Sequence, residues 1–126
     1  MDCTAHELAL HAARQVLAKG AEDVVVLSMP EHQRGLFDYV VIATGRSERQ
    51  TKTLVEEVYH FCKRHQISHF PPEGEAGWMV VDCHEVVTHA FLTEMREHYR
   101  IEELWPEATV VDVEAELQNL PDPDAA

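Results

Sequence analysis

Positive charge is scarce in this sequence. Ten Lys and Arg stand against 23 Asp and Glu in 126 residues, a formal net charge of −13. Nucleic-acid binding draws most of its strength from cations that displace phosphate counterions, so no direct contact with free RNA or DNA is expected. A basic protein, including one that itself sits on RNA, would instead be attracted and steered. Long apolar runs are also missing. No stretch approaches the roughly 18 residues that span a bilayer, and no membrane contact is expected. His6, Glu7, His11, Arg14 and Gln15 interrupt the stretch 5–18, which removes a signal-peptide pattern. Asp2 and Glu7 oppose an organelle transit peptide, so a cytoplasmic location is expected. The three cysteines, Cys3, Cys62 and Cys83, are an odd number without tight spacing. They read as reduced, mostly buried thiols and imply no disulfide framework.

What is present is a set of clear local signals. Thr4-Ala5-His6-Glu7 has capping-box spacing, and an apolar stripe from Ala5 to Leu17 predicts a helix closed by Lys19-Gly20. Val24 to Met29 and Asp38 to Thr44 are β-branched runs too short for helices and read as buried strands. Ser47-Glu48-Arg49-Gln50 is a second capping box, with Thr51, Leu54, Val55, Val58, Phe61 and Cys62 along one face of the helix it opens. Residues 67–77 carry Pro71-Pro72 and two glycines, a connection with room for a short extended piece around Ser68 to Phe70. Trp78 to Asp82 and Val86 to Leu92 read as paired strands about a Cys83-His84-Glu85 turn. Thr93 is placed to cap a helix from Glu94 to about Glu103, stopped by Pro106. A strand from Thr109 to Val113 and a short helix from Glu114 to Leu120 follow. The predicted class is α/β, a mixed sheet of about five strands flanked by helices. One domain spans 1–113. Residues 114–126 form a short extension whose acidic tail is expected to be disordered.

Several groupings invite a chemical reading. Gly45-Arg46-Ser47, between a strand and a helix, resembles a phosphate-binding turn. It lacks the other glycines and the lysine of a P-loop, and no Asp-x-Asp follows to hold magnesium. A capped strand-to-helix turn explains it more simply. Cys62, His65 and His69 have the spacing of a zinc half-site, yet Cys62 lies on the apolar stripe, so no metal is expected. Cys83 stands between Asp82 and Glu85, where a thiolate is disfavoured, and so is no nucleophile. Asp82 and His89 lie on neighbouring strands and could pair across them, holding the hairpin and aiming Trp78. Trp78, Tyr99 and Trp105 are the large aromatics of the final third, and Trp78 at a strand start and Trp105 at a helix end before Pro106 hold edge positions where one ring face can stay open to a partner. Trp, Tyr and Arg are the residues that dominate interface energy. No catalytic residue and no cofactor are expected.

The ordered motifs Asp38 to Gln50, Glu73-Gly74, Trp78 to Asp82, Val86 to Phe91, and Glu94-x-Arg96-x-x-Tyr99-x-x-Glu102-x-Leu104-Trp105 resemble the ribosomal silencing factor, or Iojap, family. The resemblance covers about residues 5–113. It implies a nucleotidyltransferase-like fold that has lost the catalytic carboxylates. It implies a non-enzymatic translation repressor that binds the large ribosomal subunit through its fourteenth protein and sterically blocks joining of the small subunit when nutrients are scarce. It further implies a homodimer off the ribosome. Trp78, Asp82, His89, Arg96, Tyr99, Leu104 and Trp105 match the family's signature positions and are the expected partner-binding residues. Two departures stand out. Cys83-His84-Glu85 replaces the usual Gly-Asp turn, and Leu27-Ser28-Met29 lacks the Asp often found at its centre. The alternatives are a divergent nucleotidyltransferase-like enzyme using Gly45 and Ser47, and a dimeric scaffolding module.

Overall fold

The computed structural model of the chain describes residues 1–75 and 77–125. Helix α1 (Ala5–Ala18) opens on the expected box: the Thr4 hydroxyl accepts from the Glu7 amide at 3.0 Å, and the Glu7 carboxylate accepts from the Thr4 amide at 2.9 Å. Strand β1 (Glu22–Ser28) and strand β2 (Tyr39–Gly45) follow, and every residue of β2 is buried, as its unbroken apolar run requires. Helix α2 (Glu48–Arg64) starts at Ser47, whose hydroxyl accepts from the Gln50 amide at 3.1 Å. The reciprocal arm differs from a standard box, because the Gln50 side chain accepts from Arg46. Strands β3 (Glu73–Glu75), β4 (Trp78–Asp82) and β5 (Val86–Leu92) lead into helix α3 (Thr93–Tyr99). Strand β6 (Thr109–Val111) and helix α4 (Val113–Leu117) complete the chain.

The six strands form one mixed sheet in the order β3-β4-β5-β2-β1-β6. Among the described residues only β2 and β5 run parallel, and the other neighbours are antiparallel. Alternation along the strands divides the core in two. Tyr39, Val41, Ala43, Val26, Val81 and Ala90 face α1 and α2, where Phe61 is fully buried. On the opposite face Leu27, Met29, Val40, Ile42, Phe91 and Ile101 pack with the partly buried Trp78, Met95 and Trp105. Burying Phe61 or Phe91 contributes about 1.5–3 kcal/mol each. No helix among the described residues is long and apolar enough to cross a membrane.

The mixed α/β class holds, and several element boundaries differ from expectation. The sheet has six strands, and the sixth is β3 at Glu73–Glu75, where an extended piece was expected at Ser68 to Phe70. Phe70 donates one backbone bond to the Asp82 carbonyl at 2.8 Å, but Pro71 and Pro72 have no amide to donate, so a regular ladder begins only after them. Gly74 is required there: its φ is +112° and an added Cβ would lie 2.3 Å from the Trp78 carbonyl oxygen. Thr93 is inside α3 and caps nothing, and α3 ends at Tyr99. Arg100 adopts a left-handed conformation, φ 45°, and a 3₁₀ turn over Ile101–Leu104 follows. The break swings Ile101 under the sheet, to 5% exposure, where a continuous helix would have carried it away from Leu27 and Ile42. Finally, β6 stops two residues early because Asp112 leaves it to cap α4, accepting from Ala115 at 3.1 Å. Helix α4 accordingly ends at Leu117.

Candidate partner-binding face

Strand register decides which of the expected residues share a surface. Trp78 is opposite Phe91, Val80 opposite His89 and Asp82 opposite Val87. These six side chains therefore lie on one sheet face, the one away from α1 and α2. Helix α3 and the 3₁₀ turn after it cover only part of that face.

Trp78 is the hub. Its ring is 4.9 Å from Phe91 and 4.9 Å from Tyr99, and its indole N–H donates to His89 Nδ1 at 3.1 Å. The accepting nitrogen fixes His89 as neutral with its proton on Nε2. Burial pushes the His89 pKa down to about 4, which keeps it an acceptor at neutral pH. The expected Asp82–His89 pair does not form. His89 faces Val80 and is engaged by Trp78, while Asp82 accepts from the His84 amide at 2.7 Å. That bond holds the turn in which His84 has φ 64°, so the Cys83-His84-Glu85 departure is accommodated by Asp82 itself. His89, not the hairpin ion pair, aims the tryptophan.

Arg96 is turned inward. Its Nε donates to Glu102 at 2.8 Å, and its guanidinium reaches the Asp23 carbonyl at 2.6 Å and the Thr44 hydroxyl at 2.8 Å. With its side chain 14% exposed, it bolts α3 to β1 and β2 and leaves little to offer a partner. Trp105 meets Phe37 edge-on at 5.7 Å and is half-buried on the second core. Tyr99 and Leu104 are the open members, 49% and 66% exposed. Leu36, next to the Phe37 that meets Trp105, is also open, at 87% exposure. Its signal in the sequence was two large apolar residues closing an otherwise polar loop. Glu94, Glu97, Glu103 and Glu107 are exposed around this apolar set, with Arg100 beside Glu103 at 3.5 Å.

The other chemical groupings resolve into structure. In the Gly45-Arg46-Ser47 turn the amides of Arg46 and Gln50 are already taken by Gln50 and Ser47 side chains. Cys62 lies against Cys83, His65 binds Asp124 at 2.8 Å, and His69 binds the Ile67 carbonyl. Among the described residues no three His, Cys, Asp or Glu come together to hold a metal. The C-terminal stretch lies along α1 and α2: Arg14 reaches the Leu120 and Pro121 carbonyls, and Asp124 pairs with Arg64.

Comparison with known proteins shows what the chain as a whole is similar to. A family model described as ribosomal silencing factor during starvation matches residues 2–126. The ribosomal silencing factor of Bacillus subtilis is 34% identical over 76% of this chain and 82% of its own. A mouse protein named for mitochondrial assembly of the ribosomal large subunit is 33% identical over 69% of this chain and 40% of its own. A crystal structure of a Chromobacterium violaceum protein superposes with a TM-score of 0.76 at 30% identity, covering 82% of this chain and 87% of that one.

Proposed function

Because the chain belongs to the ribosomal silencing factor family, we propose that it represses translation under nutrient limitation by occupying the large ribosomal subunit. In this reading it docks on the fourteenth large-subunit protein at the face where the small subunit joins, and joining is blocked by bulk alone. Off the ribosome the chain pairs with a second copy. The observation that carries the reading is the open sheet face: exposed Tyr99 packs on half-buried Trp78, and exposed Leu104 and Leu36 adjoin in the chain half-buried Trp105 and the Phe37 it meets. Specific interfaces bury about 800 Å² per partner, and a few central aromatic or Arg anchors carry most of the energy. A net charge of −13 suits a basic ribosomal protein. The mouse relative's name, which concerns the large subunit, supports the choice of particle.

The test is sedimentation with purified large subunits. Tyr99→Ala and Leu104→Ala should each weaken co-sedimentation by about 1–3 kcal/mol, fivefold to over a hundredfold in affinity. Leu104 is 66% exposed, and Tyr99, 49% exposed, gives up only its contact with the Trp78 ring, so neither change opens the buried core. Trp78→Ala is a poorer probe, because it also strips the Phe91 contact and the His89 bond. Unchanged co-sedimentation of the Tyr99/Leu104 double variant would remove this face from the proposal. Absence of the native chain from large subunits would remove the proposal itself.

A further inference from the structure

Behind the sheet, far in sequence from any partner-binding residue on α3, two thiols meet. Cys62, in the last turn of α2, and Cys83, directly after β4, place their sulfurs 3.3 Å apart. They are 0% and 4% exposed. A cavity of about 240 Å³ leads to Cys83, lined by Cys3, Ile67, Ser68, His84 and Glu85 among others. We propose that Cys62 and Cys83 form a peroxide-reactive modification site that closes to an intramolecular disulfide. The inference stands apart from the ribosomal reading.

Three features select the reagent. The sulfurs need to close from 3.3 Å to about 2.05 Å, an approach of little more than about 1 Å. The cavity reaches Cys83 but not Cys62, which lies behind it at 0% exposure, so a small reagent can pass to the pair where a bulky disulfide cannot follow. Glu85 on its wall and Asp82 beside Cys83 repel anionic thiol reagents, so a neutral peroxide is the oxidant that fits. The pair also supplies its own activation. With Cys83 as donor in the S–H···S bond, the Cys62 pKa is lowered, while that bond and burial push the Cys83 thiol up. The Cys62 thiolate attacks one peroxide oxygen, the O–O bond breaks, and the departing hydroxide takes a proton to become water. The Cys83 sulfur then displaces hydroxide from the Cys62 sulfenic acid, its own proton leaving with that hydroxide as a second water. Two thiols are oxidised and one peroxide is reduced.

The full-length chain is exposed to hydrogen peroxide, unfolded in denaturant with an alkylating agent, and examined by intact mass and non-reducing peptide mapping. The expected product has lost two hydrogen atoms, carries one alkyl group at Cys3, and yields a linked Cys62–Cys83 peptide. Its thermal midpoint should rise by roughly 5–10 °C, because the bridge closes a loop between positions 21 apart, and dithiothreitol should reverse the gain. Cys3→Ser, a change at a partly exposed position, should form the same bridge, whereas Cys83→Ser should form none. Alkylation of both Cys62 and Cys83 after peroxide, or a bridge that includes Cys3, overturns the proposal. If Cys83→Ser does not fold, the Cys3→Ser chain still decides it by the same mass readout.

Discussion

At the scale of single residues, His89 ties pH to the posture of Trp78. Its pKa falls from the ordinary value near 6.5 to about 4 through burial. Between those two values the unfolded chain binds a proton that the folded chain refuses. Stability is therefore fully present above about pH 6.5 and falls as pH drops toward 4, by at most about 3 kcal/mol. Protonation would also remove the acceptor of the Trp78 N–H. Urea midpoints measured from neutral pH down to about 4.5 should show His89→Phe losing clearly less stability than the native chain. The buried His11, whose pKa is also lowered by burial, contributes the same slope to both proteins and cancels. Parallel pH profiles for the two chains would show that His89 is not the titrating group. Residue identities at this site were legible in the sequence, but side-chain directions were not. Arg96 and Tyr99 lie three positions apart on one short helix, and nothing local tells that Arg96 turns down to Thr44 while Tyr99 stays half exposed. The partners that decide it, Asp23 and Thr44, are 73 and 52 positions away.

At the scale of elements, α3 owes its position to Arg96 more than to its own length. Seven residues form too short a helix to persist alone. Arg96 links it to β1, β2 and Glu102, and Ile101 anchors the turn after it. Arg96→Met keeps the aliphatic bulk but leaves the Thr44 hydroxyl, the Asp23 carbonyl and the Glu102 carboxylate without this donor. A loss of about 2–3 kcal/mol is expected. Arg96→Lys should recover only part of it, since one ammonium cannot reproduce the planar fork. Chemical denaturation measures both, and a change within about 0.5 kcal/mol would mean that α3 is held by apolar packing alone. The same contrast explains which elements could be read in advance. Helices α1 and α2 announce themselves by caps and stripes, and β2 by an unbroken apolar run, because their causes are local. The end of α3 at Arg100 is set by the burial of Ile101 against strands far back in the chain, which leaves no local mark. Strand β3 is Glu-Gly-Glu, without alternation or apolar content, and exists only because β4 offers an edge. Its charges also blunt that edge against further pairing.

At the scale of the whole molecule, coverage and charge act together. Helices α1 and α2 seal one sheet face, while the other is capped by α3 and a 3₁₀ turn and keeps Tyr99, Leu104 and Leu36 in solvent. In the proposed complex, an exposed apolar set in a chain of net charge −13 would divide the labour of docking: contact area would hold the complex, and long-range field would bring it together. The two parts respond differently to salt. Screening shortens the reach of the field from about 30 Å at 0.01 M to about 3 Å at 1 M ionic strength, but leaves apolar burial in place. Association of this chain with large subunits should therefore slow by about tenfold or more over that range, while dissociation changes little. Replacing Glu103 and Glu107 with Gln, exposed carboxylates near Leu104 and Trp105, should reduce the salt dependence of the association rate and spare the dissociation rate. Stopped-flow mixing with labelled protein resolves both rates. A dissociation rate that carries most of the salt dependence would mean that ion pairs, and not the aromatic face, hold the complex together.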